Sequence, residues 1–443
     1  MSPLQPFETA AVVFGRKIIA FGRTQIVQTQ PQDWLYVSEG GATIVFAYAG
    51  PPHPEFDGKV LRLRKKSTIV DATNAVKDEE PDDAMVAFQR RVISRLVPSQ
   101  HLPELEFVLL DPSWLNKLAE LREADRPQMR RSKDRIDSGK TKGILSTDLV
   151  GREGLAVEIK PKWGFLPCAT HLSPPTAHVK THTCRFCMHT YSRSAEKGDN
   201  ILSAYCPLDL FSGDRQRILN ALHNLWMAWY NSDGSHNNLK LFAEGKLVKP
   251  SNKPMMDLLS TSLAAESSDS ASLEGAFANA IIDLILESPV FQMISSLQQS
   301  LDPLDVEGVA KLYMQEHQIG FIDSKTSILG SDVIFDPSLG EWEDFIDAFT
   351  NQFPSWDHSN PQRDHLRHYL MAQLLSGTFK DCSVILQPQI PRTSLDFMGK
   401  VTIIDLDVKG MSRLSKWQAL DREIVECYLG NERPKQCVVG SLE

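Results

Sequence analysis

The chain has 443 residues, more than one hydrophobic core usually holds, so we expect two lobes with a cleft between them. Its 42 % apolar and 23 % charged residues exclude a disordered or collagen-like protein. The net charge of −9 disfavours a general nucleic-acid binder, because such proteins meet phosphates with a basic surface. A polyanionic ligand would therefore have to meet a local cluster of basic residues.

The cysteines and the apolar segments bear on the cellular compartment. The seven cysteines are odd in number and dispersed, unlike the dense, even pattern of a secreted disulfide scaffold. No stretch approaches the roughly 18 apolar residues that a membrane span needs. The apolar patch at residues 10–14 is too short for a signal-peptide core. We expect a monomer that is located in the nucleus, the cytoplasm or both and does not bind a membrane.

The N-terminal part of the chain predicts a small antiparallel sheet covered by a helix. Residues 1–30 have weak periodicity and are interpreted as an N-terminal extension. Strands are predicted at 34–37 and 44–48, on either side of a glycine turn, and at 59–64, where apolar residues alternate. Apolar residues at helical spacing predict a helix over 82–97 that covers this sheet.

A basic segment at residues 122–142 follows, and it predicts a mobile loop or a short helix. It lacks the interleaved aromatic residues that stack on bases, so we do not expect it to bind nucleic acid. The strand predicted at 155–159 lies where two lobes would join. We therefore assign residues 31–148 to an N-lobe that binds nucleotide and residues 149–443 to a C-lobe.

The C-terminal half is richer in helix. Helical periodicity predicts helices at residues 214–230, 273–299, 305–316 and 364–375. Two β-branched runs, 381–386 and 400–405, predict strands, and each has an aspartate at one end. The small and polar residues 263–272 predict a flexible surface loop. The fold class is therefore α+β, with a small antiparallel sheet in the N-lobe and a larger helix-rich C-lobe.

One candidate metal site lies at the end of the second β-branched run. Catalysis of phosphoryl transfer needs carboxylates for a metal ion and a base, together with concentrated cations. Asp405 and Asp407 would lie one pleat apart on the same side of the strand, with Lys409 two residues further on. Mg²⁺ prefers one or two carboxylates together with phosphate oxygens. The alternative, solvated acids at a strand end, stays open on this pattern alone.

A second candidate site is a pair of lysines, Lys160 and Lys162, on one face of an extended chain kept open by Pro161. Two like charges so close repel each other unless an anion lies between them. The apolar residues 163–167 should bury this neighbourhood, which makes an unpaired lysine pair costly. A solvated surface strand is the alternative reading.

Two weaker motifs carry polar or flexible groups. Asn237, Asn238 and Lys240 follow a loop and are suited to hydrogen-bonding hydroxyls and phosphates, although an ordinary turn is also consistent with them. Gly40 and Gly41 would let backbone amides approach a phosphate, but they do not form a full glycine-rich fingerprint.

Cysteine and histidine residues cluster near position 180. Cys184 and Cys187 form one C-x-x-C pair, and several histidines are nearby. A zinc site usually has a second paired half, and here only histidines lie close enough in sequence to supply it. We therefore expect reduced thiols rather than structural zinc. No motif indicates a catalytic cysteine.

These segments together resemble the inositol-pentakisphosphate 2-kinase family, whose product is inositol hexakisphosphate. The resemblance extends from about residue 34 to 420 in the order of the family's motifs. The matching blocks are residues 39–42, 58–62, 157–167, 185–189, 205–213, 237–238, 304–308, 381–383 and 404–409. The block at 157–167, with the sequence VEIKPKWGFLP, is the most specific of them.

The resemblance implies a two-lobed, kinase-like fold with ATP between the lobes and the inositol phosphate held mostly by the C-lobe. By position, Asp381 resembles the catalytic base that accepts the proton of the 2-hydroxyl, and Lys160 has a catalytic role beside it. Asp405 resembles the Mg²⁺ ligand, with Asp407 close by. The positions that resemble substrate-phosphate ligands are Lys160, Lys162, Arg193, Asn238, Lys409 and Arg413, with Asn237 and Lys240 beside them.

On the nucleotide side, the resemblance implies contacts from Gly40, Gly41, Arg62, Asp148 and Asp405. The basic segment falls where the family has a mobile, arginine-bearing stretch that closes over the substrate. We therefore expect an N-lobe clamp by one of two arginines, Arg126 or Arg130.

Three departures from the family pattern are visible. Arg193 stands where a family lysine is found, which keeps the charge and changes the reach. Residues 300–370 contain no cysteine, which disfavours the Cys/His zinc site that some members have there. Residues 1–30 match no family segment. Two other functions remain as alternatives, a kinase for another inositol polyphosphate and a non-catalytic inositol phosphate-binding protein, and the presence of both Asp381 and Asp405 disfavours the latter.

Overall fold

The computed structural model describes residues 24–67, 81–151, 154–197, 203–319, 328–329, 335–390 and 399–440. Most of the predicted N-terminal extension, residues 1–23, lies outside these ranges. Helices and two antiparallel sheets make up the described chain, which confirms the α+β class.

The first sheet is built from residues that precede position 148. Its strands are β1 (Trp34–Glu39), β2 (Thr43–Tyr48), β3 (Lys59–Ser67), β4 (Leu105–Leu109), β5 (Asp134–Ile136) and β6 (Lys142–Thr147). They pair in the order β1-β2-β3-β6-β4, and β5 pairs with the end of β3. Alternate residues of β2 are buried, so one face of the sheet packs on a core around Trp34 and Trp114. The three strands predicted in this region are confirmed.

The second sheet joins strands that are distant in sequence. Its strands are β7 (Leu155–Ile159), β8 (Leu239–Ala243), β9 (Lys246–Leu247), β10 (Ser383–Pro388) and β11 (Gly399–Ile404), in the order β11-β10-β7-β8-β9. Every residue of the central strand β7 is buried, which explains its unbroken apolar character apart from Glu158.

Most helices of the described residues follow the first sheet in the chain and pack around the second. They are α1 (Pro81–Arg91), α2 (Pro112–Arg122), α3 (Gln128–Arg131), α4 (Pro174–Lys180), α5 (Arg185–Lys197), α6 (Pro207–Leu210), α7 (Arg215–Asn231), α8 (Lys253–Leu263), α9 (Ser270–Glu287), α10 (Val290–Ser300), α11 (Asp305–Glu316), α12 (Leu339–Asn351), α13 (Leu366–Asp381) and α14 (Ser412–Leu429).

The larger core lies between the second sheet and several of these helices. Trp226 of α7, Phe277 of α9 and Phe379 of α13 belong to this core. Phe88 of α1 belongs to it as well and packs edge-on against Trp342 of α12, with ring centroids 5.4 Å apart. Helix α1, which lies in the chain between β3 and β4 of the first sheet, is therefore anchored on the C-terminal half.

Two predicted helices have different bounds in the structure. The helix predicted over 82–97 ends at Arg91 and continues only as a 3-10 turn. The helix predicted over 273–299 is two helices, because Pro289 has no N–H to donate to a preceding turn and α10 starts after it. No single helix in the described ranges is long and apolar enough to cross a membrane, although α9 and the helices after it pass that test as a bent pair.

Candidate active site

The pairing of β10 with β11 brings two aspartates to one edge of the second sheet. Ser383 pairs with Ile404 in the antiparallel ladder, so the start of β10 lies beside the end of β11. Asp381 precedes β10 and Asp405 follows β11, which places both carboxylates at this edge. The single hydroxyl hydrogen of Ser383 is shared between Asp405 Oδ2, at 3.2 Å, and Glu158 Oε1, at 3.0 Å. The sheet therefore joins two acids that are separated in the chain.

The predicted geometry of Asp405 and Asp407 is wrong. β11 ends at Ile404, and Asp405 adopts a left-handed backbone with φ of 62°, so the two aspartates do not continue one pleated strand. Asp407 is exposed and lies apart from the cavity described below, while its backbone carbonyl accepts a hydrogen bond from Thr378. Its assignment as a metal ligand stays a prediction.

Lys160 and Lys162 do not form an extended pair either. β7 ends at Ile159, and Lys162 has a φ of 67°, so the chain turns there. The sequence predicted that an anion would balance the two lysine charges, and in the structure carboxylates of the protein itself do so. Lys160 Nζ lies 3.3 Å from Asp405 Oδ2, and Lys162 Nζ lies 3.0 Å from Asp381 Oδ1. Each predicted lysine thus faces one of the two predicted aspartates.

These ion pairs change the pKa values of the groups involved. Burial lowers the pKa of Lys160, but the charges of Asp405 and Asp381 outweigh burial and raise that pKa above its ordinary value. Burial raises the pKa of Asp381, yet Lys162, Lys160 and Lys409 outweigh it and hold that pKa below its ordinary value. Asp381 is therefore an ionised carboxylate at neutral pH, as a proton acceptor must be.

Buried polar contacts fix the turn that carries the lysines. Gln298 is fully buried, and its side chain accepts from Gly164 N at 2.7 Å and donates to the carbonyls of Lys162 and Phe379 at 2.8 and 3.0 Å. Tyr205 Oη donates to the Pro161 carbonyl at 2.9 Å. The position of Lys162 is therefore set by residues of other elements.

A second buried acid supports the same edge of the sheet. Glu158 on β7 accepts hydrogen bonds from Ser383 Oγ at 3.0 Å and from Lys240 Nζ at 2.8 Å. Lys240, predicted as a substrate ligand, is thus paired with Glu158 and does not line the cavity. Asn238 donates to the Lys160 carbonyl at 3.1 Å, which connects the asparagine motif to the lysine turn.

A cavity of about 400 Å³ opens beside Asp381. Seven basic and four acidic side chains line it, so the lining has a positive charge. The sequence-predicted residues that line it are Lys162, Arg193, Asn237, Asn238, Asp381, Lys409 and Arg413. Within the described part of the chain, Arg193 and Arg413 have no carboxylate partner, which leaves both free to meet an anion.

Two residues of helix α5 that were not predicted as site residues, Arg185 and His189, also line this cavity. Together with Arg193 they recur every four residues, which places all three on one face of the helix. This four-residue spacing is visible in the sequence and could have predicted that the three side chains lie together. Burial and the charges of Arg185, Arg193 and Lys162 together lower the pKa of His189 to about 4. The cavity therefore has a positive field where no ligand is bound.

The floor of the cavity has ion pairs that sequence analysis also missed. Lys180 Nζ lies 2.5 Å from Asp305 Oδ1 and 2.9 Å from Asp421 Oδ2, and all three side chains are buried. Burial raises the pKa of Asp305 to about 6 despite the opposing charge of Lys180. Lys380 pairs with Asp302 in the same floor. These lysines are neutralised within the protein and hold the floor in place.

The predicted nucleotide contacts lie outside this cavity. Gly40 and Gly41 follow β1 in an open turn, where an added Cβ would meet nothing within 4 Å. Arg62 lies on β3 between β2 and β6. Asp148 lies in the chain between β6 and β7, and its Oδ1 accepts from the amides of Val150 and Gly151 at 3.0 and 2.9 Å. The structure does not bring these residues together with the cavity.

Arg126 is not available as a substrate clamp in this structure. It is 2 % exposed, and its guanidinium donates to Glu39, Glu123 and Asp134. A buried arginine with three carboxylate partners is held by the N-terminal sheet. Arg130 is exposed on α3 and keeps the clamp role as a prediction.

The chain is similar in sequence to proteins of one enzyme family. The family model described as inositol-pentakisphosphate 2-kinase matches residues 36–423. The chain belongs to the inositol-pentakisphosphate 2-kinase family. An inositol-pentakisphosphate 2-kinase of Cryptococcus neoformans is 32 % identical over 420 residues, which cover 90 % of this chain and 94 % of the relative. One of Arabidopsis thaliana is 25 % identical over 451 residues, covering 89 % and 93 %.

A third relative, the inositol-pentakisphosphate 2-kinase of Danio rerio, is 32 % identical over 228 residues, covering 49 % of this chain and 44 % of the relative. The protein is therefore an enzyme of the inositol-pentakisphosphate 2-kinase kind, a transferase that acts on an inositol phosphate. A positive cavity beside an ionised aspartate is consistent with such a substrate.

Proposed function

We propose that this enzyme transfers the γ-phosphate of ATP to the 2-hydroxyl of inositol 1,3,4,5,6-pentakisphosphate, with Asp381 as the base. The observation that carries this proposal is the position of Asp381. It lines the positive cavity, and it lies at the same sheet edge as Asp405. A hydroxyl held in the cavity would thus face the acid that receives its proton.

In the proposed reaction, the 2-hydroxyl oxygen forms a bond to the γ-phosphorus of ATP. The bond from that phosphorus to the β–γ bridging oxygen breaks, and ADP leaves with the electron pair. The hydroxyl proton passes to the carboxylate of Asp381. Lys162 and Lys409, which lie 3.0 and 3.9 Å from that carboxylate, are also within the cavity and would stabilise the substrate phosphates.

The substrate phosphates are proposed to bind the basic residues of the cavity wall. Arg193 and Arg413 have no competing carboxylate in the described chain, and Arg185 is held over the ring of Trp163, 5.5 Å from its centroid. Arginine suits phosphate because its planar fork donates two parallel hydrogen bonds. Asn237 and Asn238 would donate to phosphate or hydroxyl oxygens from the same wall.

The residues at the sheet edge fit a Mg²⁺ ion. Asp405 has a half-exposed carboxylate, and oxygen donors are what this cation prefers. Asp405 would hold the ion, with Asp407 as a second candidate. When bound, Mg²⁺ neutralises charge on the β- and γ-phosphates of ATP. Lys160, beside Asp405, would then be released to contact the transferred phosphoryl group.

We also propose that ATP lies between two lobes, against Gly40, Gly41, Arg62 and Asp148. No packing contact explains glycine at positions 40 and 41, because a Cβ there would meet no protein atom. A close approach of ligand phosphates would explain it.

The test is an assay of the purified protein with ATP, Mg²⁺ and a panel of inositol phosphate isomers, with products identified by phosphorus NMR. The expected result is fastest turnover of the pentakisphosphate to the hexakisphosphate. Faster turnover of a less phosphorylated isomer would favour the alternative function, a kinase for another inositol polyphosphate. Tight, ATP-independent binding of inositol phosphates without turnover would favour the non-catalytic alternative.

A further inference from the structure

Four cysteines from three separate segments meet beside the cavity wall. Cys184 and Cys187 lie at the start of α5, Cys206 precedes α6, and Cys437 belongs to the segment after α14. Their sulfur atoms all lie within 4.8 Å of one another. In the sequence only Cys184 and Cys187 form a close pair, which by itself predicts reduced thiols. The second half comes from Cys206 and Cys437, which are too far apart in the chain to be recognised as a pair.

The distances between the sulfur atoms match a tetrahedral metal site and not a disulfide. Zinc–sulfur bonds of about 2.3 Å place the sulfurs of a tetrahedral site about 3.8 Å apart. Cys184 Sγ and Cys206 Sγ are 3.9 Å apart, far beyond the ~2.05 Å of a disulfide bond. All seven cysteines of the chain are free.

The groups around the sulfurs suit thiolates. The Cys187 amide donates to Cys184 Sγ at 3.4 Å, so a backbone N–H already points at one sulfur. Lys435 lies beside the cluster, where its Nζ donates to the Ala204 carbonyl at 3.3 Å, and its positive charge would offset part of the negative charge of four thiolates. The Cys437 amide donates to the His182 carbonyl at 2.8 Å, which fixes the terminal segment.

We propose that Cys184, Cys187, Cys206 and Cys437 bind one Zn²⁺ as four thiolates, releasing their protons to solvent. Four sulfur donors in a tetrahedral arrangement favour zinc among the common cations. The site is closed, because protein sulfurs occupy all four positions, so its role is structural. It fastens the start of α5, which bears His189 and Arg193, to the segment after α14.

The metal content of the purified wild-type protein tests this proposal. After gel filtration in the presence of a chelator, we expect about one zinc per chain by plasma mass spectrometry, and a native mass increased by one zinc. Cys437→Ser and Cys206→Ser should lose the metal. Cys168→Ser and Cys427→Ser, at cysteines outside the cluster, should keep it.

If a cysteine variant fails to fold, its metal loss is uninformative, and two measurements on the wild-type protein then test the proposal. In the folded wild type, a mercurial thiol reagent should release zinc in step with the modification of four cysteines. Cobalt substitution should give the absorption bands of a tetrahedral thiolate site. Protein without zinc whose four thiols react freely, a disulfide within the cluster, or equal metal loss in Cys168→Ser would each overturn the proposal.

Discussion

Lys162 Nζ lies 3.0 Å from Asp381 Oδ1, so the proposed base is paired with a lysine that also lines the substrate cavity. This lysine holds the acid in its ionised form while no substrate is present. A substrate phosphate would compete for the same ammonium group. Phosphate binding and the basicity of Asp381 are therefore coupled through one side chain.

Asp381→Asn should abolish turnover while leaving the fold intact. The amide keeps the shape of the side chain and cannot accept the proton, so we expect kcat to fall by about 10²–10⁴-fold. Steady-state kinetics and thermal unfolding measure the two effects. Asp257→Asn, at an exposed aspartate of α8, is the matched control. Unchanged kcat in Asp381→Asn would remove Asp381 from the role of base.

Lys162→Met should raise the pKa of Asp381. The positive charge of Lys162 is the largest influence that lowers this pKa against the effect of burial, so its loss moves the pKa towards or above the ordinary value. Carbon NMR of the labelled aspartate carboxyl follows the titration directly. Lys311→Met, at a lysine that pairs with Glu307 and lies outside the cavity, should leave the titration unchanged. An identical Asp381 titration in both variants would contradict the coupling.

His189 should take up a proton when a polyanion fills the cavity. Its pKa is lowered to about 4 by burial and by nearby cations, and bound phosphates would oppose those cations and raise it. Calorimetry of hexakisphosphate binding in buffers of different ionisation enthalpy measures the uptake. His189→Gln should remove this uptake while His223→Gln, at an exposed histidine that pairs with Glu274, should not.

The same histidine predicts how stability depends on pH. Because the folded pKa of His189 lies below its ordinary value of 6.5, the unfolded chain binds more protons between pH 6.5 and about 4. This contribution to the free energy of unfolding is present above pH 6.5 and is lost as pH falls through that range. Urea titrations should show a shallower loss in His189→Gln, and equal slopes in both proteins would contradict the lowered pKa.

Gln298→Leu should destabilise the lysine turn. The change leaves the Gly164 amide and two carbonyls without their buried partner, and each unsatisfied group costs about 1–3 kcal/mol. We expect a lower free energy of unfolding in urea titrations and a lower kcat, because Lys162 is no longer held. Gln299→Leu, at the exposed neighbour on α10, should change neither quantity appreciably.

Gly41→Val should weaken ATP binding without harming the fold. An added Cβ at this position would meet no protein atom within 4 Å, so we expect little change in thermal unfolding, while ATP phosphates near the turn would be obstructed. We expect a raised KM for ATP with an unchanged KM for the inositol phosphate. Gly275→Val, at another glycine with open space on α9, controls for the substitution itself. An unchanged KM for ATP would place the nucleotide elsewhere.

The sequence by itself determined three strands of the first sheet, several of the longer helices and the main acids and lysines of the site. Alternation and helical spacing are local patterns, so they can be read without knowing which elements touch. Asp405 was indicated by its place at the end of a β-branched run, Lys160 and Lys162 by two like charges on one predicted face, and Asp381 by the resemblance to the family.

Only the tertiary structure decided how those residues are used. It paired Lys162 with Asp381, buried Arg126 among three carboxylates, and gathered four cysteines from three segments. It also placed Arg185 and His189 in the cavity wall. The physical reason is that ion pairs, pKa values and metal sites depend on distances between residues far apart in the chain. Local sequence patterns contain no information about those distances.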